Sequence, residues 1–270
     1  MSGLMRYLRL VGAFARFGLL NELAFRANFV VKMSVELIWL SLLLIFYNTV
    51  FRQTNHIADW NQAQFLIFLG CYYALEGFIE TFFLENCNEF SELVRSGNLD
   101  LYLLKPIDEQ FLVTCRKIDW STVPNIIIGV CVMGYGLSQL EDWSFNPGWM
   151  LLFIGLFACG VAMAYSFLVI LMATAVWLVR NQSLMELWWL FTTLMRYPRE
   201  IYVGRVADPL RIFFSFVVPI LLVVHVPART LLQVFDARFL GVMVLATGVL
   251  LWLSRVFFRR ALRSYRSASS

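Results

Sequence analysis

The sequence has few of the side chains that enzyme active sites use. It contains two histidines, His56 and His225, which are far apart and have no cysteine beside them. Zinc-dependent hydrolysis and nucleophilic catalysis by a Cys/His pair need histidine and cysteine side chains close together. The five cysteines are scattered without a CxxC pair, which is typical of small buried apolar side chains. We therefore predict no catalytic residues and no metal site.

The chain also lacks a P-loop for nucleotides. That motif places a glycine directly before a lysine. The three lysines here follow Val31, Leu104 and Arg116 instead. ATP therefore cannot bind this chain through that motif.

Charged side chains are scarce as well. Of the 270 residues, 60% are hydrophobic and 15% are charged, whereas a soluble domain is about half apolar and a quarter charged. At about 20 residues per bilayer crossing, six crossings leave length only for loops and ends. The composition predicts an all-α integral membrane protein, with residues 1–270 forming a single domain.

Six transmembrane helices are predicted, and five of them are clear from the apolar runs. These five are residues 27–51, 62–85, 118–140, 149–179 and 239–258. For the remaining crossing, residues 183–196 could cross while residues 210–226 enter the outer face and return. Alternatively, residues 183–196 could lie along the inner face while residues 210–226 cross. The second option keeps three arginines inside, whereas the four prolines of residues 197–236 favour the first, a re-entrant hairpin.

The basic residues predict the orientation. Residues 1–26 carry four arginines and apolar side chains at helical spacing, which predicts an amphipathic helix lying on the membrane face rather than a secretory signal. The tail at residues 259–270 is also basic, and so is the loop at residues 86–117. The positive-inside rule therefore places both termini and this loop in the cytoplasm.

Two predicted spans contain charged residues. Lys32 and Glu36 lie in the first span, and Glu76 and Glu80 lie in the second. Each pair is spaced i, i+4 and shares a helix face, and the antiparallel spans place Lys32 at the height of Glu80. A structural salt bridge between Lys32 and Glu80 is one interpretation. The other is an acidic patch, formed by Glu36 and Glu76, that favours cationic amphiphiles.

The loop between the second and third spans carries the most specific pattern. Apolar residues recur on two short stretches, Gly97 separates them and Pro106 ends the second. This predicts two short helices that form a docking element, although a long loop of any membrane protein could also fold into a surface helix.

The string from Leu93 to Pro106, with its Arg-x-Gly-x-Leu-Asp core, resembles a subfamily of bacterial ATP-binding-cassette export permeases of the second class. Pro219 and the Pro227-Ala228-Arg229 string resemble two further elements of that family, although His225 stands where the family tends to have an aromatic residue. The resemblance spans nearly the whole chain. It implies an exporter subunit driven by a separate ATPase, with a re-entrant hairpin before the last span.

The resemblance also implies partners and site residues. ATP and Mg would bind the partner ATPase, and no cofactor is expected in this chain. The other expected partners are a second permease, as a homodimer or heterodimer, and membrane lipid, but not nucleic acid. The cytoplasmic membrane of a bacterium is the expected location. Leu93, Leu101 and Leu104 would be apolar anchors in the ATPase groove, with Arg95 and Lys105 at the rim. The full coupling set is Phe90, Leu93, Arg95, Gly97, Leu99, Asp100, Leu101, Leu104, Lys105 and Pro106.

The expected substrate is hydrophobic or amphiphilic, because the apolar runs hold many aromatic side chains and few uncharged polar groups. Two rival functions are an ion-gradient transporter and a lipid-modifying membrane enzyme. An ion-gradient transporter should show internal repeats, and none is evident between the two halves. A lipid-modifying membrane enzyme should bring reactive side chains together at one interface, and the two separate histidines disfavour it.

Overall fold

The computed structural model describes residues 3–24, 26–141, 143–178, 182–205 and 207–265. About 80% of the chain is helical, and the described residues form no β-strand. The prediction of an all-α protein is confirmed. Parts of the predicted interfacial helix (residues 1, 2 and 25), of the fourth span (residue 179) and of the basic tail (residues 266–270) lie outside the described residues.

Twelve α-helices follow one another in the described part of the chain. They are α1 Gly3–Ala24, α2 Arg26–Phe51, α3 Gln62–Ile79, α4 Glu85–Arg95, α5 Leu99–Leu103, α6 Glu109–Cys115, α7 Val123–Ser138, α8 Pro147–Ala173, α9 Gln182–Met195, α10 Ala207–Ile212, α11 Ile220–Leu231 and α12 Ala237–Ser264. Two π-helical segments, Glu80–Leu84 and Phe213–Val217, join α3 to α4 and extend α10.

Four helical stretches are long and apolar enough to cross a membrane: Phe29–Phe51, Gln62–Arg95, Pro147–Val176 and Ala237–Ser264. The α10 and α11 pair could be a fifth, although it is bent by 79°, and α7 is apolar but shorter. The structure thus confirms an all-α membrane protein. The number of six crossings stays a prediction.

The second predicted span is longer than the sequence indicated. Its helix does not end at Glu85 but continues through the π segment to Arg95, for 34 residues in all. The wide π turn leaves the Thr81 carbonyl free to accept a hydrogen bond from the Asp119 amide at 2.9 Å. This contact holds the chain before α7, which begins at Val123 rather than at residue 118.

Glycines set the distance between α3 and α7 at the centre of the bundle. A Cβ atom added to Gly129 would lie 2.4 Å from the Ala74 amide nitrogen and 2.7 Å from the Gly70 carbonyl oxygen. A Cβ atom added to Gly136 would likewise lie 2.9 Å from the Ala63 carbonyl oxygen of α3. Small residues let membrane helices approach closely and gain van der Waals contact. These two helices therefore form the tightest pair of the fold.

The two ends of the bundle differ. At one end, which is the predicted outer end, Trp60 donates to the Glu200 carboxylate at 3.1 Å and Trp143 donates to the Leu231 carbonyl at 3.0 Å. The other end, the predicted cytoplasmic end, holds residues 86–117. There α1 packs on the chain before α7, since Trp120 donates to the Ala15 carbonyl at 2.9 Å.

Candidate functional sites at the loop and inside the bundle

The loop at residues 86–117 continues the long helix beyond the bundle. After α4 ends at Arg95, Gly97 takes a positive φ of 73°, a conformation that glycine adopts at little cost. The chain then turns into α5. The structure therefore contains two short helical stretches joined at Gly97.

The apolar residues of this loop fall into two groups. Phe90, Leu93 and Leu99 are buried inside the protein, whereas Leu101 and Leu104 are 62% and 82% exposed. Exposed leucines at the end of a projecting element are candidates for a contact with another protein. Of the three predicted apolar anchors, Leu93 is buried and has no free surface to offer a partner, whereas Leu101 and Leu104 are exposed. Their role as anchors stays a prediction.

Polar side chains surround the two leucines. Arg95 forms an ion pair with Glu92 across one turn of α4, and Lys105 lies over the Tyr102 ring at 5.0 Å. Lys105 and Pro106 are exposed, while Asp100 is half-buried in the first turn of α5. We call the exposed residues Arg95, Ser96, Asn98, Leu101, Leu104, Lys105 and Pro106 the tip.

Ion pairs fix the tip to the long helix. Arg116 binds the Glu89 carboxylate at 2.6 Å and the Tyr102 hydroxyl at 2.7 Å, and Lys117 also pairs with Glu89. The Asn86 side chain binds both backbone groups of Lys117, at 2.8 and 3.0 Å. These bonds join α4, α5 and the chain after α6 into one unit.

Asp108 connects this unit to the last helix. Its carboxylate caps α6 through the Phe111 amide at 3.0 Å and forms a bidentate pair with Arg255 of α12. Partial burial alone would raise the pKa of Asp108, but the bonds from Arg255 and the Phe111 amide outweigh burial, and the pKa lies below its ordinary value. The next residue but one, Gln110, donates to the Tyr165 hydroxyl of α8 at 3.0 Å.

The charged residues inside the spans are arranged differently from the prediction. Lys32 lies 3.5 Å from Asp119, so the predicted ion pair between Lys32 and Glu80 is wrong. Asn125, in the first turn of α7, instead donates to both Glu36 at 3.2 Å and Glu80 at 3.3 Å. One amide therefore bridges carboxylates from two different helices.

These carboxylates line a cavity of about 460 Å³ between α2, α3, α7 and α9. Glu36, Glu76 and Glu80 contribute three carboxylates, and Arg196 contributes one positive charge. The Arg196 guanidinium donates to the Tyr72 hydroxyl at 3.4 Å. Aromatic and aliphatic side chains form most of the remaining wall: Trp39, Leu42, Leu43, Phe46, Tyr73 and Trp189.

The predicted residues of the re-entrant region lie at the predicted outer end. Pro219 precedes the first turn of α11 and Pro227 lies inside that helix. Arg229 forms an ion pair with Glu200 at 3.0 Å and lies over the Trp60 ring at 5.2 Å. The bend between α10 and α11 falls directly before Pro219.

The protein-family model described as ABC-2 family transporter protein matches residues 37–269 of the chain. The chain belongs to the ABC-2 transporter family. This ABC-2 protein is accordingly a permease component of an ABC transporter and a multi-pass membrane protein. No curated protein and no solved structure shows significant similarity to the chain.

Sequence reasoning missed three polar residues of this ABC-2 permease. Asp119 and Asn125 fall inside the third predicted span, and no role was predicted for either of them or for Glu200. A polar asparagine one residue after Pro124, at the start of an apolar run, was a usable signal, because polar groups inside spans are costly without a partner. Among the described residues, no group of three or more His, Cys, Asp or Glu side chains has the arrangement of a metal site.

Proposed function

We propose that the chain is the membrane-spanning subunit of an ATP-driven exporter whose ATPase is a separate protein that docks on the tip. The observation that carries this proposal is the 34-residue helix from Gln62 to Arg95, which leads into the turn at Gly97 and the exposed Leu101 and Leu104 beyond it. A partner that moves the tip would move the centre of the bundle directly. ATP and Mg would bind the partner, since this chain carries no P-loop.

The contacts around the tip support this mechanical role. A displacement of the tip is shared with α8 through Gln110 and with α12 through Asp108 and Arg255. Coupling between distant sites needs such contiguous packed and hydrogen-bonded elements. The loop would therefore act as one rigid lever rather than as a flexible connection.

For the topology, we propose six crossings with both termini in the cytoplasm of a bacterial cell. The crossings would be α2, α3, α7, α8, α9 and α12. Residues 197–236 contact Trp60 and the chain around Ser144, which is the side of both predicted outer loops. This placement supports the first alternative, in which α10 and α11 form a re-entrant hairpin and α9 supplies the fifth crossing.

The exposure of α2 supports assembly with a second permease. Of the 18 residues that form its apolar stretch, only 6% are buried within the protein, against 72% for the corresponding stretch of the helix from Gln62 to Arg95. Lipid covers part of such a face, and a second subunit would cover the rest. The same argument applies to an identical and to a different permease.

The cavity indicates the kind of substrate. A volume of about 460 Å³ falls in the range of small-molecule sites, about 300 to 1,000 Å³. Its aromatic walls suit an amphiphile entering from the inner leaflet. Three carboxylates against one arginine favour positive charge, because the field of each carboxylate is weakly screened inside a membrane protein. We therefore propose lipophilic cations as the preferred class.

The docking role can be tested by changing Leu101 and Leu104 together to aspartate. Placing two carboxylates in an apolar groove of a partner should weaken the binding free energy by several kcal/mol. We expect the amount of ATPase that co-purifies with the tagged permease to fall by about a hundredfold or more, since each 1.4 kcal/mol is a factor of ten. The permease should still reach the membrane, because both side chains are exposed in it.

A matched control adds the same two charges at the predicted outer end. Gln53→Glu with Asn55→Asp changes two exposed residues of the loop after α2 and should leave ATPase association unchanged. If the wild type and the Leu101/Leu104 variant co-purify with equal amounts of ATPase, the tip is not the docking site.

A further inference from the structure

A second cavity, of about 300 Å³, lies at the predicted outer end between residues 197–236 and the start of α12. Basic side chains dominate its polar lining. Arg199, Arg211 and Arg229 face it together with His225, and Phe235 and Phe239 form part of its apolar wall.

The two acids of this cavity already have partners within the protein. The Glu200 carboxylate accepts hydrogen bonds from Trp60 at 3.1 Å and from Arg229 at 3.0 Å. The Asp236 carboxylate caps α12, accepting from the Arg238 amide at 3.0 Å and the Phe239 amide at 3.3 Å. Arg211 pairs with Asp208 at 2.8 Å, and neither Glu200 nor Asp236 lies within 4 Å of the remaining arginine.

Arg199 is that arginine. Its guanidinium lies over the Phe239 ring at 4.0 Å, and it has no acid within 4 Å among the residues that the structure describes. Its Nη1 atom is buried without an acceptor. Buried polar atoms without partners are rare and costly. A buried guanidinium donor without a partner, facing a basic cavity, indicates that an external acceptor completes the site.

We propose that this cavity binds a phosphate group, with Arg199 donating to its oxygens. Planar guanidinium groups bind phosphate oxygens through paired charge-assisted hydrogen bonds. The adjacent bent pair exposes Leu210, Ile212 and Val217, apolar side chains that suit contact with the acyl chains of a lipid whose phosphate enters the cavity. The phosphate can belong to a phospholipid of the outer leaflet or to a free ion, and the site chemistry is the same.

The site can be tested on the purified full chain in a nonionic detergent. Thermal unfolding would be followed with three probes: dihexanoylphosphatidylglycerol, inorganic phosphate, and dihexanoylglycerol, which has no phosphate. We expect the phosphatidylglycerol, but not the dihexanoylglycerol, to raise the unfolding temperature. Stabilisation by inorganic phosphate as well would identify a general oxyanion site, and stabilisation by the lipid alone would identify a headgroup site.

Variants of the arginines decide whether the effect belongs to this cavity. Arg199→Gln should weaken phosphate-probe binding by about tenfold or more, the size expected for a lost charge-assisted hydrogen bond. Arg205→Gln removes the same charge from an exposed position in the same segment and should bind like the wild type. If Arg199→Gln does not fold, Arg211→Gln at the rim should also weaken binding. The proposal is overturned if no phosphate probe stabilises the wild type, or if the cavity variants bind as well as Arg205→Gln.

Discussion

Among the individual side chains, the carboxylates of the cavity between α2 and α3 carry the proposed substrate preference. Glu36, Glu76 and Glu80 come from two helices and meet at one cavity, where the Asn125 amide bridges two of them. A carboxylate inside a membrane protein is costly and needs a partner or a ligand. Three of them with a single nearby arginine, Arg196, are the basis of the proposed preference for lipophilic cations.

Removing two of these charges should reduce the export of lipophilic cations. We expect cells that carry Glu36→Gln with Glu76→Gln to become as sensitive to tetraphenylphosphonium as cells without the permease, with unchanged protein amounts. The amides keep the size of the side chains and remove only the negative field. The measurement is growth inhibition alongside quantitative immunoblotting of membranes.

Glu141→Gln is the control, because Glu141 is exposed in the predicted outer loop. It should leave tolerance unchanged. Normal tolerance in the Glu36/Glu76 variant across a panel of such cations would instead favour a lipid or another neutral cargo.

These residues also show which features of the site the sequence could predict. The shared height of Glu36 and Glu76 followed from helix rise alone, and both carboxylates line the cavity. The partner of Lys32 did not follow, because the third predicted span began at residue 118 and so included residues 118–122. In the structure the backbone bond to Thr81 holds this stretch outside α7, and Asp119 can therefore reach Lys32.

Individual helices depend on contacts that apolar composition does not reveal. The α3 and α7 pair is held together at glycines, and an added Cβ at Gly129 would lie 2.4 Å from the backbone of Ala74. Backbone atoms cannot move aside like a flexible side chain, so the two helices would have to separate.

Gly129→Ala should therefore destabilise the protein by about 1 to 3 kcal/mol, the usual cost of overpacking. Gly134→Ala is the matched control, since Gly134 lies on the same helix with nothing within 4 Å of an added Cβ. It should be neutral or stabilising by up to about 1 kcal/mol, because alanine favours a helix. Unfolding in detergent, followed by circular dichroism, would measure both. Equal effects at the two positions would mean that the glycine contact does not determine the packing.

The limits of the helices were harder to predict than their existence. Apolar runs predicted α2 to within one residue, and the starts of α8 and α12 to within two, but the C-terminal ends of α8 and α12 lie six residues from those predicted. The helix from Gln62 was expected to end at Glu85 because charged residues begin there, yet a buried Phe90 and Leu93 on one face keep it helical to Arg95. The sharp bend before α11 depends on tertiary packing as well as on Pro219, so proline positions alone left two alternatives.

In the molecule as a whole, one helix runs from the carboxylate-lined cavity to the turn that carries the exposed tip. The same 34-residue helix that carries Glu76 and Glu80 continues to the turn at Gly97. Ion pairs from α12 and hydrogen bonds from α8 hold the loop that surrounds its end. Under the proposed function, this continuity carries the motion of a docked partner to the cavity.

The central claim is that this partner is an ATPase seated on the tip, and photo-crosslinking in intact cells tests it most directly. Leu104 would be replaced by p-benzoylphenylalanine, and in a second strain Phe235, exposed at the opposite end of the bundle, would be replaced in the same way. Mass spectrometry of the adducts identifies the partner. We predict an adduct with a P-loop ATPase from position 104 and none from position 235. The absence of that adduct from position 104, or its formation only from position 235, would contradict the account.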